Sequence, residues 1–261
     1  LRRKPYASYC FLMVQMIELV LLIYVINGLK VGIQVEIEIV FLEKMDYAKV
    51  LHMQEKIRED VMEERRQNTL LLVEHPPVYT IGRNGNEANI LLPSEKLMEK
   101  GIDVHPIKRG GDVTYHGPGQ IVGYPIVHLR NLRKGVKDYV YGLQDLFIQL
   151  LRDSYGITAH KDIGKYTGVW VHDKKITAIG IEIKRWVTMH GFAFNVNTDL
   201  NYFKHIIPCG IHDKAVTSLH ALTGEKQNME HLFKQVAAYF CEVFQVTPIY
   251  GDYKEWGMDN R

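Results

Sequence analysis

Cysteine is scarce in this chain. Cys10, Cys209 and Cys241 are the three among 261 residues, they lie far apart, and none belongs to a C-x-x-C pair. That spacing excludes a disulfide framework and the ordinary zinc-finger pattern, and it suits a reducing compartment. A surplus of one charge is missing too. The net charge of +2 argues against a general nucleic-acid binder, which carries a strongly basic face. Between residues 37 and 250 there is no internal repeat and no low-complexity linker. With 46% hydrophobic residues the chain has ample material for one globular core.

Residues 1–36 read differently. Arg2, Arg3 and Lys4 precede a run from Phe11 to Ile26 that is apolar apart from Gln15 and Glu18. A signal or transit segment, a membrane anchor and non-native upstream sequence all compete here. The run is short for a bilayer span and Glu18 makes it costlier. No small-residue cleavage site follows it. The segment is expected to be an extension outside the main fold, with 251–261 as a C-terminal tail.

From Val35 the pattern becomes globular. Strands are expected at Ile37–Phe41, Thr69–Val73, Val78–Gly82, Ile121–Leu129, Thr167–Val171, Ile176–Ile183 and Thr188–Val196. His172-Asp173-Lys174-Lys175 reads as a hairpin turn. Helical spacing of apolar residues marks Met45–Arg66, a helix beginning at Asp138 and capped by Gly156, and Met229–Val246. Arg130, Arg133, Lys134 and Lys137 form a small basic cluster, either a solvated face or a meeting point for an acidic partner. The fold class expected is α/β, a mixed β-sheet with packed helices.

The stretch that organises the chain is Arg109-Gly110-Gly111-Asp112-Val113-Thr114-Tyr115-His116-Gly117-Pro118-Gly119-Gln120. Its glycines and proline forbid a regular helix and predict a tight, multiply turned loop. Glycine leaves backbone N–H groups open to close approach by carbonyl or phosphate oxygens, and the arginine, aspartate, threonine and histidine can hold a polar substrate. The pattern reads as a binding loop.

Cys209, between Pro208 and Gly210, is the candidate nucleophile; Cys241 falls on an apolar helix face. A buried structural cysteine is the ordinary alternative. Lys175 is the candidate cation beside it. An ammonium about 4 Å from a thiolate is worth about 4 kcal/mol at an effective dielectric near 20, enough even when attenuated to favour the thiolate. His205, Cys209 and His212 have a spacing that tests for zinc, but no fourth ligand is evident, so no metal is expected. His190 is either an acid–base group or a satisfied core histidine.

Four segments, RGGDVTYHGPGQ, TGVWVHDKKITAIGIEI, HGFAFNVNTDL and IIPCGI, in that order and spacing, together with HPPVYTIG, resemble the octanoyltransferase family, also called lipoyl(octanoyl) transferases or lipoate-protein ligase B. The resemblance covers about residues 37–250 and leaves 1–36 without a counterpart. It implies the fold of the biotin/lipoate protein ligase catalytic domain. It also implies transfer of an octanoyl (or lipoyl) group from octanoyl-acyl carrier protein to a lysine of a lipoyl domain. Such domains occur in 2-oxo acid dehydrogenase complexes and in the glycine cleavage system's H protein. Carried over position by position, Cys209 matches the acyl-thioester nucleophile and Lys175 the lysine that lowers its pKa. The substrate-binding segments match Arg109, Gly110, Gly111, Asp112, Val113, Thr114, Tyr115 and His116, then Ala178, Ile179 and Gly180, then Gly191, Phe192 and Ala193. No cofactor, metal or nucleic acid is implied, and the location implied is cytoplasmic, or mitochondrial in a eukaryote. An ATP-dependent ligase of the same fold and a non-catalytic binding module are the rivals. Cys209 and Lys175 speak against both.

Overall fold

The computed structural model describes residues 35–162, 166–207 and 215–256. Twelve strands and five α-helices are found among them. The strands are β1 (Glu36–Lys44), β2 (Asn68–Glu74), β3 (Val78–Ile81), β4 (Asp103–Pro106), β5 (Val113–His116), β6 (Gln120–Ile126), β7 (His160–Asp162), β8 (Gly168–Val171), β9 (Lys174–Lys184), β10 (Val187–Asn195), β11 (Ala215–Val216) and β12 (Thr247–Tyr250). The helices are α1 (Tyr47–Met62), α2 (Ser94–Glu99), α3 (Val136–Tyr155), α4 (Leu219–Thr223) and α5 (Met229–Phe244).

The large mixed sheet runs β12-β1-β2-β6-β10-β9-β8-β7, with β11 added parallel to β9. Its strands alternate between two apolar faces, as a period of two requires. Leu70, Leu72, Ile121, Phe192 and Phe194 point to one side, where Leu143, Phe147 and Leu150 of α3 and Val236 and Phe240 of α5 cover them. Leu71, Val73, Val122 and Ala193 point to the other, against Val50, Ile57 and Val61 of α1. A small sheet, β4-β3-β5, has its own core of Tyr79, Ile81, Val113 and Tyr115, closed by Ile206.

Local chemistry accounts for the ends of these elements. Asp46 caps α1 by accepting from the Lys49 N–H at 3.1 Å. Gly156 ends α3 in the left-handed region at φ 64°, as a C-cap glycine should. Arg185 and Trp186 both have positive φ, the two-residue turn that matches the twist of the β9–β10 hairpin. Beyond β12, Tyr253–Trp256 forms a 3-10 turn, with the Arg66 guanidinium 3.8 Å from the Trp256 ring centre.

The expected α/β class with a mixed sheet and packed helices is the observed one. The expected strands and long helices are found with ends shifted by a few residues. The main difference lies in the central loop. Val113–His116 is a strand paired antiparallel with β3, so only its flanks, 109–112 and 117–119, are turns. Alternation of Val113 and Tyr115 with Thr114 and His116 carries the strand, and the surrounding glycines mask it.

Candidate active site

Where β6, β9 and β10 run side by side, a cavity of about 350 Å³ opens. Its walls include Arg109 to Thr114 and His116 of the central loop, Ala178, Ile179 and Gly180 of β9, Gly191, Phe192 and Ala193 of β10, and Lys175. Three segments separated in sequence by up to about eighty residues thus meet at one place, because β9 pairs with β10 and the loop lies over β9. The Gly110 N–H donates to the Ile181 carbonyl at 3.0 Å. Gly180 has to be glycine for that approach. A Cβ there would stand 2.9 Å from the Gly110 oxygen and 3.2 Å from Arg109 Cδ.

The matched residues do different things within this wall. Arg109 is nearly buried; its Nη2 donates to the Thr80 carbonyl at 2.8 Å and to Thr80 Oγ1 at 2.9 Å, and Nη1 donates to the Gly110 carbonyl at 3.0 Å. The guanidinium therefore fastens the loop to β3. Asp112 accepts from Asn89 Nδ2 at 2.7 Å and from the Val113 N–H at 2.6 Å. Tyr115 is the exception among the described matches. Its ring turns into the small sheet, stacked on Tyr202 at 4.6 Å between ring centres, and is not part of the cavity wall. Lys175 Nζ lies 3.4 Å from the Thr167 carbonyl and 5.0 Å from the centre of the Trp170 ring. Cys209, Cys10 and His212 lie outside the described residues.

Behind the loop stands a layer of buried polar rings: His75, His116 and His190 from the matched segments, Tyr47 and Tyr124 from outside them. His75 bonds the Met45 carbonyl through Nδ1 at 2.7 Å and the Tyr124 hydroxyl through Nε2 at 2.9 Å. Since a carbonyl only accepts, Nδ1 carries the proton and Nε2 accepts from Tyr124. Tyr47 stacks on His116 with 6.0 Å between ring centres. His190 is buried, sits at φ 60°, and its backbone N–H donates to Gln54 Oε1 at 3.1 Å. Burial pushes all three imidazoles down, His75 to about 4 and His116 and His190 to about 3; Arg109 adds to the effect on His116 and His190. The histidines are neutral at ordinary pH. His190 belongs to the cavity wall, and its Nδ1 has no hydrogen-bond partner among the described residues.

Among the described residues no cluster of three or more His, Cys, Asp or Glu could hold a metal ion, and no helix is long and apolar enough to cross a membrane.

The comparisons agree with this geometry. Residues 46–241 match the family described as the lipoyl protein ligase A/B catalytic domain. An octanoyltransferase of Caldicellulosiruptor saccharolyticus is 51% identical over 209 residues, 80% of this chain and 89% of that protein. One of Desulforamulus reducens is 50% identical over 79% of this chain and 90% of its own length. Among solved structures, lipoate-protein ligase A bound with ATP superposes with a TM-score of 0.66 at 15% identity, over 85% of this chain and 92% of that one. The bi-partite lipoate protein ligase of Thermoplasma acidophilum gives 0.63 at 15% identity, over 86% and 90%. At that identity the likeness establishes the shared fold. The resemblance carried by the sequence motifs is borne out: the chain belongs to the octanoyltransferases of the lipoyl protein ligase A/B catalytic-domain family, acyltransferases of protein lipoylation.

Proposed function

We propose that the cavity moves an octanoyl group from acyl carrier protein to a lysine of a lipoyl domain through a thioester on Cys209. The acceptors are lipoyl domains of 2-oxo acid dehydrogenase complexes and the glycine cleavage H protein. The work is done by a catalytic domain spanning 37–250, flanked by 1–36 and 251–261. The low cysteine content and absence of disulfide spacing support a cytoplasmic location, or a mitochondrial one in a eukaryote.

One observation carries the reading: Lys175 shares a cavity wall with all three glycine-containing segments. The chain bearing Cys209 is anchored at both ends of that wall. On one side the Ile207 N–H donates to the Asn89 carbonyl, and Asn89 in turn holds Asp112. On the other, β11 sets Ala215 opposite Lys174 and Val216 opposite Lys175. Cys209 is six positions from Ala215, a tether of at most roughly 20 Å, and that length allows the thiol to reach Lys175.

The chemistry follows from balance of bonds and protons. Thiolate Cys209 attacks the thioester carbonyl, backbone N–H groups stabilise the oxyanion, and the carbon–sulfur bond to the carrier breaks. The carrier thiol leaves with a proton, from Lys175. The acceptor lysine arrives as the neutral amine and attacks the acyl-enzyme, and its one surplus proton passes to neutral Lys175; an amide forms, the Cys209 thiolate returns and Lys175 is again the ammonium. Thioester to amide is downhill, so no nucleotide enters. Ile179, Ile181, Val122 and Phe192 supply apolar wall for the chain, with about 0.8 kcal/mol from each buried methylene.

Intact mass spectrometry after mixing with octanoyl-acyl carrier protein, without ATP, tests this. The expected result is a gain of one octanoyl group, located on Cys209 and discharged by a lipoyl domain. A protein that stays unmodified while transferring octanoate would exclude the covalent route. A requirement for ATP would favour acid activation instead.

A further inference from the structure

One buried line of hydrogen bonds crosses the cavity wall and has a fixed polarity. It starts at a backbone carbonyl, Thr217, which accepts from Asn195 Nδ2 at 3.0 Å. Asn195 is thereby oriented with Oδ1 outward, and Oδ1 accepts from Gln120 Nε2 at 2.9 Å. The other Gln120 N–H donates to a second backbone carbonyl, Tyr115, at 3.1 Å. A carbonyl oxygen cannot donate, so both amides are locked and Gln120 Oε1 must face its remaining neighbour, His116 Nδ1, at 2.8 Å. That nitrogen carries the proton. In the neutral ring Nε2 then holds a lone pair.

His75 beside it uses both ring nitrogens within the protein, on Met45 and Tyr124. His116 uses one. Its ring is part of the cavity wall, and Nε2 has no hydrogen-bond partner among the described residues. The groups around the ring, His75, His190, Arg109 and the Tyr47 phenol, all oppose a positive charge on it or are neutral. All the residues of the line are nearly buried, Gln120 at 1% exposure and Asn195 at 4%, and both belong to the cavity wall. Two primary amides buried at that depth would be costly if their only task were to fill space.

We propose that Gln120 and Asn195 are positioning residues that hold His116 as its Nδ1–H tautomer, so that Nε2 is a standing hydrogen-bond acceptor for an N–H group of the substrate. Octanoyl chains bring no N–H. The pantetheine arm of the donor brings amide N–H groups, and the acceptor lysine brings its amine. A ring that presented Nε2–H would repel either one; one that became charged would do the same. This rests on the acyl-transfer reading given above, but its first test does not depend on turnover.

That test is nitrogen-15 NMR of the full chain with labelled histidine. His116, assigned by the signal lost in His116→Gln, is expected to show a protonated Nδ1 and an unprotonated Nε2, unchanged from about pH 5 to about pH 8. A protonated Nε2, or titration near the ordinary histidine value, overturns the proposal whatever the enzyme's activity. The second test is Gln120→Glu, which keeps an oxygen for Nδ1 but sets a carboxylate beside the ring and raises its affinity for a proton. Single-turnover rates of that variant are expected to fall roughly ten- to hundred-fold as pH drops and Nε2 is protonated, a dependence the native chain lacks at this residue. Loss confined to acylation identifies the pantetheine amide, and loss confined to discharge identifies the lysine amine. A folded Gln120→Glu chain with the native pH profile in both half-reactions overturns the proposal. Gln120→Leu, which takes the acceptor away from His116 Nδ1, serves if the glutamate does not fold: mixed tautomers at His116 are expected, and a native spectrum overturns the line as the cause.

Discussion

The two faces of the large sheet differ in what they bury. Under α3 and α5 the face is almost wholly hydrocarbon, with Phe147 edge-on to Phe192 at 4.9 Å and near Phe194 at 5.0 Å. Gln144 is one polar exception, and its Nε2 is taken up by the Asp162 and Gly168 carbonyls. Under α1 and the small sheet, the same strands bury Gln54, His75, His116, Gln120, Tyr124 and His190. Adjacent residues of one strand divide between the faces, Phe192 to the first and Ala193 to the second. Apolar packing alone holds a sheet together. Polar groups at that depth require partners, and they collect where a cavity needs oriented donors and acceptors.

The largest effect is expected where only chemistry is at stake. Cys209→Ala should abolish octanoyl transfer and the acyl-enzyme mass while leaving thermal unfolding unchanged, and transfer at the native rate by the alanine chain would remove the nucleophile assignment. The opposite profile belongs to the hydrocarbon face. Phe147→Ala leaves a void among Phe192, Phe194 and the leucines of α3 and should cost about 3–5 kcal/mol of stability. Turnover per folded molecule should fall far less than in Cys209→Ala, because Phe147 touches the cavity only through the Phe192 ring. Denaturant titration beside single-turnover rates separates the two, and a Phe147→Ala chain that stays stable but loses activity would mean that the faces are not divided in this way.

The polar face should also make stability depend on pH. Unfolded histidines take up protons near pH 6.5, whereas His75 in the native chain waits until about 4 and His116 and His190 until about 3. Below pH 6.5 the unfolded state therefore binds more protons. Stability present above that pH is lost as pH falls toward 4, by up to about 1.4 kcal/mol per unit for each histidine. Urea midpoints at a series of pH values should show this slope, and His75→Phe should lessen it. A Phe147→Ala chain should keep the native slope at lower overall stability. A flat profile in the native chain would mean that these rings are charged or open to water when folded.

How much of this was legible in the sequence follows the same division. The hydrocarbon face announces itself: Tyr139, Leu143, Leu146, Phe147 and Leu150 recur at helical spacing and Gly156 closes the helix. The cavity's glycine segments are legible because close approach demands glycine, as Gly180 against Gly110 shows. The bonds of His75, Gln120, Tyr124 and Asn195 are not, although His75, Gln120 and Asn195 stand in the matched segments. Each residue sits singly in or beside a strand, and only the pairing of β6 between β2 and β10 brings them together. The two-residue β11 and the six-residue α2 are too short to show a period. Arg109 was legible as a residue of the loop but not as its fastening, since Thr80 lies 29 positions away in another strand.

The smallest effect concerns the thiol on the hydrocarbon side. Cys241 packs against the core under α5, and burial pushes it up to about 11. At pH 8 only about one molecule in a thousand then carries the thiolate there, so alkylation is slow for want of the reactive form. A cysteine activated by an ammonium reacts at that pH in the opposite sense. Iodoacetamide at pH 8 should therefore label Cys209 first, with loss of transfer tracking that label alone, and prior octanoylation should protect it. Cys241→Ala should shift stability by about 1 kcal/mol or less, because a half-buried sulfur is all that is removed, and leave both half-reactions at the native rate. If Cys241 is labelled as fast as Cys209, the contrast between a thiol set for chemistry and one set in the core fails at its simplest point, and the cation beside Cys209 would have to be sought elsewhere than Lys175.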